Sequence, residues 1–307
     1  MSPTASRIPV ILDVDTGVDD AMALALALRS PELELVAVTT LAGNVGVDRT
    51  TANTLAVLDH LGADTVPVHR GASRALSRPH ADAAYFHGES GLGSAALPAS
   101  RREVAPLRGP AAIIAYAVER PGEITLICTG PLTNLAIALN VAPELGGLLR
   151  QVIVMGGAFR VSGNVTPHAE YNIWADPEAA HHVFEAPLPG LMAIGLDVTH
   201  QTSLSRETWE RAEATGRHGT PAKVVAEVNR HVFLEQGRSG SYLHDPLTVG
   251  AAIDPSLLRH DAAAVQVTRD DAELGRTRIV GEGPTLVAAE VDAERFVALF
   301  EERLGLR

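Results

Sequence analysis

Four aspartates near the N-terminus have the residue type and spacing of a metal-binding cluster. Asp13, Asp15, Asp19 and Asp20 fall within eight residues. Two unit charges about 4 Å apart repel by about 4 kcal/mol at an effective dielectric of about 20. A helix N-terminus offsets only about 0.3–1 kcal/mol per charge. We therefore expect a cation among these carboxylates, and a metal ion is the simplest one.

The segments on either side of the aspartates predict where the cluster lies in the fold. The apolar run at residues 10–12 predicts a buried strand, and residues 21–28 have a helical pattern. The four carboxylates therefore fall at the end of a strand and in the first turn of the next helix. In open α/β sheets this edge is where ligands bind.

Other polar segments also follow apolar strands or open helices. Each alone is typical of a turn or a helix cap. Their recurrence after strands is harder to explain by capping, and it predicts that they converge on one sheet edge. The segments are residues 39–44, 129–134, 155–164, 170–172 and 244–245.

Strand-like and helix-like patterns alternate through the first two-thirds of the chain. This alternation predicts an α/β fold with a single open, mainly parallel twisted sheet and helices on both faces, as in Rossmann-like proteins. After residue 205 the pattern is helical to residue 236, and strand-like pieces precede a last helix. We find no internal repeat or linker, so one domain over residues 1–307 is expected.

Residues 71–108 form a long stretch rich in Gly, Ser, Pro and His. Loops of this length within a compact domain are usually functional or disordered. The stretch carries His80, His87 and Glu89, the last two in a glycine-rich segment. We therefore predict a lid loop over a ligand site.

Composition limits the classes of function. Of 307 residues, 46% are hydrophobic and 4% aromatic, so the core consists mainly of aliphatic side chains. The formal charge of −12 argues against a nucleic-acid-binding surface. The single cysteine, Cys128, excludes an internal disulfide and a multi-cysteine zinc site.

The sequence also bears on location. No segment approaches 18 uninterrupted apolar residues, so no membrane span is expected. Residues 1–7 show no apolar region of the kind found in signal peptides. A cytoplasmic location is the expectation.

Taken together, these motifs resemble the nucleoside hydrolases of the inosine–uridine-preferring type, which are metal-dependent N-ribohydrolases. The segment from Asp15 to Asp20 matches the family signature Asp-x-Gly-x-Asp-Asp, and the late pair His244–Asp245 is also present. The resemblance extends from Val10 to about Leu304. It implies hydrolysis of ribonucleosides to free base and ribose, in purine or pyrimidine salvage, by a homodimer or homotetramer.

The resemblance also implies a calcium site. Asp15 would be a Ca²⁺ ligand and the general base that activates a calcium-bound water. Asp20 and Asp245 would complete the carboxylate ligands, and the main-chain oxygen of Thr129 would add a neutral one. Such an all-oxygen set is what calcium prefers.

The same resemblance assigns the substrate contacts. Met155 would line the sugar pocket, and His87 would close over the nucleoside. His244 would face the base and protonate it as it leaves, because histidine titrates near physiological pH. Asp13 would support Asp15 from behind. The residues implied to hold the ribose hydroxyls are Asp19, Asn44, Asn164, Glu170 and Asn172.

The base preference stays open at this point. Relatives that protonate the base through histidine often carry tyrosines on the helix before the His-Asp pair. Here residues 224–241 contain His231 and Phe233 but no tyrosine, and Tyr242 lies two residues before His244. Any of these three side chains is a candidate to replace the tyrosines.

Two other functions are compatible with parts of the sequence. Asp13 and Asp15 also fit the first motif of haloacid-dehalogenase-like phosphatases, with Asp13 as nucleophile. That pattern expects Thr or Val where this chain has Gly17, and it usually needs a lysine, of which Lys223 is the only one. A non-catalytic, calcium-dependent nucleoside or sugar binder is the second alternative.

Overall fold

The computed structural model describes residues 7–307 of the chain. The expectation that the N-terminus lacks a signal-type apolar region falls almost entirely on residues 1–6, outside the described part. The prediction of one domain over residues 1–307 stays a prediction.

Within residues 7–307, ten strands form two sheets. The large sheet has the order β3-β2-β1-β4-β5-β6-β10-β9, and β7 and β8 form a separate antiparallel pair. Among the described strands of the large sheet, only β9 and β10 pair antiparallel. The fold-class prediction is therefore confirmed. The strands are β1 (Ile8–Val14), β2 (Leu33–Thr40), β3 (Val68–Arg70), β4 (Thr125–Cys128), β5 (Gln151–Met155), β6 (Met192–Ile194), β7 (Ser203–Ser205), β8 (Gly240–Tyr242), β9 (Leu258–Val267) and β10 (Thr277–Val291).

Helices cover both faces of the large sheet. Alternate residues of β1 belong to different apolar clusters, Val10 and Leu12 to one and Ile11 to the other. The first cluster includes α1, α11, α12 and α13, and the second includes α4, α5 and α8. The helices are α1 (Val18–Arg29), α2 (Val47–His60), α3 (Ala84–His87), α4 (Gly109–Glu119), α5 (Thr133–Val141), α6 (Leu145–Leu148), α7 (Tyr171–Ala175), α8 (Pro177–Glu185), α9 (Leu196–Thr199), α10 (Arg206–Thr215), α11 (Pro221–Arg230), α12 (His244–Ile253) and α13 (Ala293–Leu304).

The strand order creates a crevice beside β1. The chain runs outward from β1 through β2 to β3, and then returns to the other side of β1 as β4. In β1, Asp13 is aligned with Thr39 of β2 and with Cys128 of β4, so the three strands end close together. Ligands in open α/β sheets bind at such a switch point.

The structure differs from the sequence-based expectations in several local features. Three strand-like pieces were expected in the tail, and those at residues 277–280 and 285–291 are parts of one strand, β10, whose register against β9 shifts near Gly281. Local irregularities of this kind interrupt the residue pattern while pairing continues on either side. The stretch predicted to be helical up to residue 236 is broken between α10 and α11, and a π-helical turn, His231–Glu235, follows α11. The predicted lid contains the short helix α3.

Within residues 7–307, no helix combines the length and the apolar character that crossing a bilayer requires.

Candidate active site

Asp13 lies beneath the site, where it supports the ends of the strands. Its Oδ1 accepts hydrogen bonds from Oγ1 of Thr39 at 2.6 Å and from Nδ2 of Asn134 at 2.7 Å. The side chain is fully buried, and burial raises its pKa to about 7 although both hydrogen bonds oppose this shift. Asp13 therefore has a structural position, consistent with its expected place behind Asp15.

Asp15 is held by the loop that follows β2. The main-chain N–H of Asn44 donates to its Oδ2 at 2.7 Å. Its Oδ1 is buried and has no partner among the described residues. The loop approaches so closely that a Cβ at Gly43 would lie 2.0 Å from Oδ2. Burial and the charge of Asp20 raise the pKa of Asp15.

Asp20 lies in the first turn of α1, where the helix dipole favours an anion. Its Oδ1 accepts from Oγ1 of Thr129 at 2.8 Å, and its Oδ2 accepts from the main-chain N–H of Gly17 at 2.9 Å. Asn44 adds a third contact through Nδ2, at 3.2 Å from Oδ2. The carboxylate is thus fixed from β4, α1 and the loop after β2.

Asp19, Asp20 and Asp245 form an acidic cluster. Each offers one carboxylate oxygen, and these oxygens lie within 4.8 Å of one another. Asp245 comes from the first turn of α12, which packs against α1. Burial and the charge of Asp20 raise the pKa of Asp19 to about 7, and burial, Asp19 and Asp20 raise that of Asp245.

These oxygens fit a hard cation. Oδ1 of Asp19 and Oδ1 of Asp15 are both buried and have no hydrogen-bond partner among residues 7–307. In that part of the chain, no Lys or Arg forms an ion pair with any of four acidic side chains, those of Asp15, Asp19, Asp20 and Asp245. Calcium prefers carboxylate and carbonyl oxygens of this kind.

Glu170 and Asn172 form the wall beside the cluster. Glu170 caps α7, and its carboxylate accepts from the main-chain N–H groups of Asn172 at 2.8 Å and Gly157 at 3.1 Å. Burial raises its pKa to about 6. Asn172 donates through Nδ2 to the main-chain oxygens of Thr129 at 2.7 Å and Met155 at 3.2 Å. The main-chain oxygen of Thr129, which is expected to bind the metal, thus also accepts a hydrogen bond from Asn172.

Tyr171 joins three segments of the site, and sequence reasoning did not single it out. Its main-chain N–H donates to Oδ1 of Asn164 at 2.9 Å. Its hydroxyl contacts the main-chain oxygens of Gly43 at 2.6 Å and Ala81 at 2.9 Å. Burial raises the pKa of the phenol, so it stays a neutral donor. The only sequence signal for a role of Tyr171 is its position between two predicted site residues, Glu170 and Asn172.

His244 is the first residue of α12 and also lines the cavity. Its Nδ1 is 2.7 Å from Oγ1 of Thr199, at the end of α9. Its ring centroid is 5.6 Å from that of His200 and 5.4 Å from that of Tyr242. Burial lowers the pKa of His244 to about 3, and the neighbouring His200 contributes to the shift.

Of the three side chains considered as substitutes for the tyrosines, only Tyr242 lines the cavity. Phe233 is buried and stacks on Trp209, with ring centroids 5.1 Å apart. His231 pairs with Glu235 at 2.7 Å and is not part of the cavity lining. The aromatic wall around His244 is therefore built by residues that follow β6 and end β8.

The predicted lid places His87 against the start of α1. Its Nδ1 accepts from the main-chain N–H of Val18 at 3.1 Å, and burial lowers its pKa to about 3. The neighbouring Phe86 is bound by a residue outside the lid, because Nε2 of Gln236 donates to its main-chain oxygen at 2.8 Å. The guanidinium of Arg238 lies 4.8 Å from the centre of the Phe86 ring.

One cavity joins these groups. Most of the predicted site residues line it, whereas Asp15 and Asp20 are buried and not part of the lining. Sequence reasoning did not place Ala83, Tyr85, Phe86, His200 or Arg238 in this wall. The predicted residues in the lining are Asp19, Asn44, His87, Thr129, Met155, Asn164, Glu170, Asn172, His244 and Asp245.

Comparison with known proteins assigns the chain to a family. Residues 10–298 match the family model described as "Inosine-uridine preferring nucleoside hydrolase". The pyrimidine-specific ribonucleoside hydrolase RihA of Citrobacter koseri is 39% identical over 311 residues, covering 97% of this chain and 98% of that protein. The probable uridine nucleosidase 2 of Arabidopsis thaliana is 35% identical, with coverage of 97% and 98%.

Solved structures agree. The purine-preferring ribonucleoside hydrolase from Gardnerella vaginalis superposes with a TM-score of 0.90 at 34% identity, covering 97% of this chain and 98% of that one. Family match, whole-length similarity and the convergence of the signature residues lead to one conclusion. The chain belongs to the inosine–uridine preferring nucleoside hydrolase family and is an enzyme of the nucleoside hydrolase class.

Proposed function

We propose that the enzyme hydrolyses the N-glycosidic bond of ribonucleosides by means of a calcium ion, with Asp15 as general base and His244 acting on the leaving base. One observation carries the proposal. Buried carboxylates converge at the cavity, two of their oxygens have no partner among the described residues, and His244 lines the same cavity.

Asp15, Asp20, Asp245 and the main-chain oxygen of Thr129 would hold the metal. Three carboxylates and a carbonyl suit Ca²⁺ better than softer metals, which favour sulfur and nitrogen ligands. When bound, the ion would act as a Lewis acid toward water and the ribose hydroxyls.

Asp15 would accept the proton from the attacking water. The Asn44 N–H fixes one carboxylate oxygen, which leaves Oδ1 for this task. A base that is already oriented contributes about 10²–10⁴-fold to such reactions.

The ribose would bind over the carboxylates. Positive charge builds on the sugar as the C–N bond breaks, and fixed negative groups stabilise that charge. Met155 would line the sugar pocket, and His87 would close it from the lid, excluding bulk water. The residues proposed to bind the hydroxyls are Asp19, Asn44, Asn164, Glu170 and Asn172.

Hydrolysis of phosphate esters has little support. In the phosphatase alternative Asp13 would be the nucleophile, yet Asp13 is fully buried and its Oδ1 accepts two hydrogen bonds. A non-catalytic binder would need the same cavity, so only an experiment distinguishes it from an enzyme.

The test is a substrate panel with inosine, uridine, cytidine and a phosphate ester, assayed for reducing sugar and free phosphate. The panel includes purine and pyrimidine nucleosides because the names of the relatives indicate both preferences. We expect ribose release that stops with a calcium chelator and with Asp15→Asn. Release of phosphate without ribose contradicts the proposal, and binding without turnover indicates a binder.

Three further expectations stay predictions. A homodimer or homotetramer and a role in purine or pyrimidine salvage rest on the resemblance, and a cytoplasmic location rests on the sequence pattern. Light scattering on the purified protein measures the first directly.

A further inference from the structure

We propose that Thr199 is a positioning residue for His244, because its hydroxyl fixes the orientation of the imidazole and selects the nitrogen that faces the base. The inference rests on the proposed function of His244. Thr199 is fully buried at the end of α9, and its Oγ1 lies 2.7 Å from Nδ1 of His244. The two residues come from elements far apart in the chain.

Counting protons assigns the direction of this hydrogen bond. Among residues 7–307, Nδ1 of His244 is the only hydrogen-bond partner of the Thr199 hydroxyl. If Nδ1 carried a hydrogen, the buried hydroxyl proton would have no acceptor. An unsatisfied buried donor costs about 1–3 kcal/mol. The hydroxyl therefore donates, and Nδ1 accepts.

The consequence concerns the other ring nitrogen. A neutral imidazole carries one hydrogen, so a ring that accepts at Nδ1 carries that hydrogen at Nε2. With Nδ1 fixed against α9, Nε2 is the nitrogen left for the cavity that His244 lines. The neutral ring thus presents an N–H to the base as the C–N bond weakens.

Neighbouring rings limit the other motions of the imidazole. The His200 and Tyr242 rings lie 4.7 Å apart, and both lie within 5.6 Å of His244. They restrict the ring from the side but make no hydrogen bond that distinguishes its two nitrogens. Thr199 supplies this distinction.

The structure offers a matched control. Thr202 is as fully buried as Thr199 and lies in the same turn. Its hydroxyl donates to the main-chain oxygen of Thr199 at 3.1 Å and does not touch His244. Thr202→Val therefore removes a buried hydroxyl of the same kind that makes no hydrogen bond to the imidazole.

The experiment compares Thr199→Val, Thr199→Ser, Thr202→Val and His244→Ala on uridine, inosine and p-nitrophenyl riboside, whose leaving group needs no proton. Thr199→Val should lower kcat on the nucleosides about 10- to 100-fold, because a misoriented imidazole loses its Nε2–H hydrogen bond to the departing base, which gains negative charge as the C–N bond breaks. It should leave the p-nitrophenyl riboside rate nearly unchanged, and Thr199→Ser should restore nucleoside activity.

Equal losses with Thr199→Val on both kinds of substrate, or the same substrate ratio as Thr202→Val, would overturn the role of Thr199. If His244→Ala itself loses activity equally on both, the proposed function of His244 fails instead. A second measurement needs no Thr199 variant. Nitrogen-15 NMR of the wild type, assigned against His244→Ala, should show the Nε2–H tautomer, and an Nδ1–H tautomer contradicts the inference.

Discussion

The main-chain N–H of Asn44 donates to Oδ2 of Asp15 across 2.7 Å, so the loop after β2 orients the carboxylate at the end of β1. The contact leaves Oδ1 of Asp15 buried and without a partner among the described residues. One oxygen is thus used for orientation, and the other is available for chemistry. The variants Asp15→Asn and Gly43→Ala test these two roles of the carboxylate.

Asp15→Asn should remove the proposed base while keeping nearly the same shape. We expect kcat on nucleosides to fall about 10²–10⁴-fold. Steady-state kinetics measures the loss, and circular dichroism checks that the variant is folded. Asp64→Asn, at an exposed position, is the control. Activity within a few-fold of wild type would show that Asp15 is not the base.

Gly43→Ala should move the Asp15 carboxylate, because the added Cβ would meet Oδ2 at 2.0 Å. Displacing a catalytic group by about 1 Å can cost about 10²-fold in rate. Gly46→Ala is the matched control, since a Cβ there meets nothing within 4 Å. If both variants keep wild-type kcat, the position of this carboxylate does not limit the reaction.

Calcium should stabilise the folded protein. A ligand present at 100 times its Kd adds about 2.7 kcal/mol to the free energy of unfolding. Thermal unfolding of chelator-treated protein, with and without added Ca²⁺, measures the shift in Tm. Asp245→Asn should reduce that shift, and Mg²⁺ should give a smaller one because it demands stricter geometry. No shift with Ca²⁺ would exclude the proposed site.

His87 should make stability depend on pH. Burial lowers its pKa in the folded state to about 3, from an ordinary value of 6.5. The folded ring is therefore neutral, and its contribution is lost as pH falls below the unfolded pKa. Between about pH 6.5 and about pH 5, the loss is about 2 kcal/mol in the free energy of unfolding.

The comparison variant for this effect is His87→Asn, whose side-chain oxygen can still accept from the Val18 N–H. Urea unfolding of both proteins, each treated with chelator, gives the difference in stability at each pH. The advantage of the wild type over the variant should shrink as pH falls. A difference that is constant between these pH values would mean that His87 titrates normally.

Much of the site was predictable because its residues follow recognisable strands. Asp15, Thr129 and Met155 each come at or just after the end of an apolar run, and parallel strands bring such ends together. Thr199 and His200 were not predictable in this way. They lie at the end of α9, a helix of four residues without a motif, and they matter only because α12 brings His244 against them.

The fold shows a similar division. Short apolar runs that alternate with helical patterns predicted the parallel strands, because this alternation is typical of a parallel sheet covered by helices. The continuity of β10 was not predictable, because Gly281, Gly283 and Pro284 interrupt the local pattern. There the ladder with β9, a pairing absent from the local sequence, keeps the strand together.

Asp20 and Asp245 lie far apart in the chain, and their carboxylates come together when α12 packs against α1. A nascent or proteolysed chain that lacks α12 therefore has an incomplete acidic cluster. The proposed metal site would therefore be complete only once these distant parts of the sequence have docked. An ion that binds only the assembled state slows its disassembly, so calcium release and global unfolding would be coupled events.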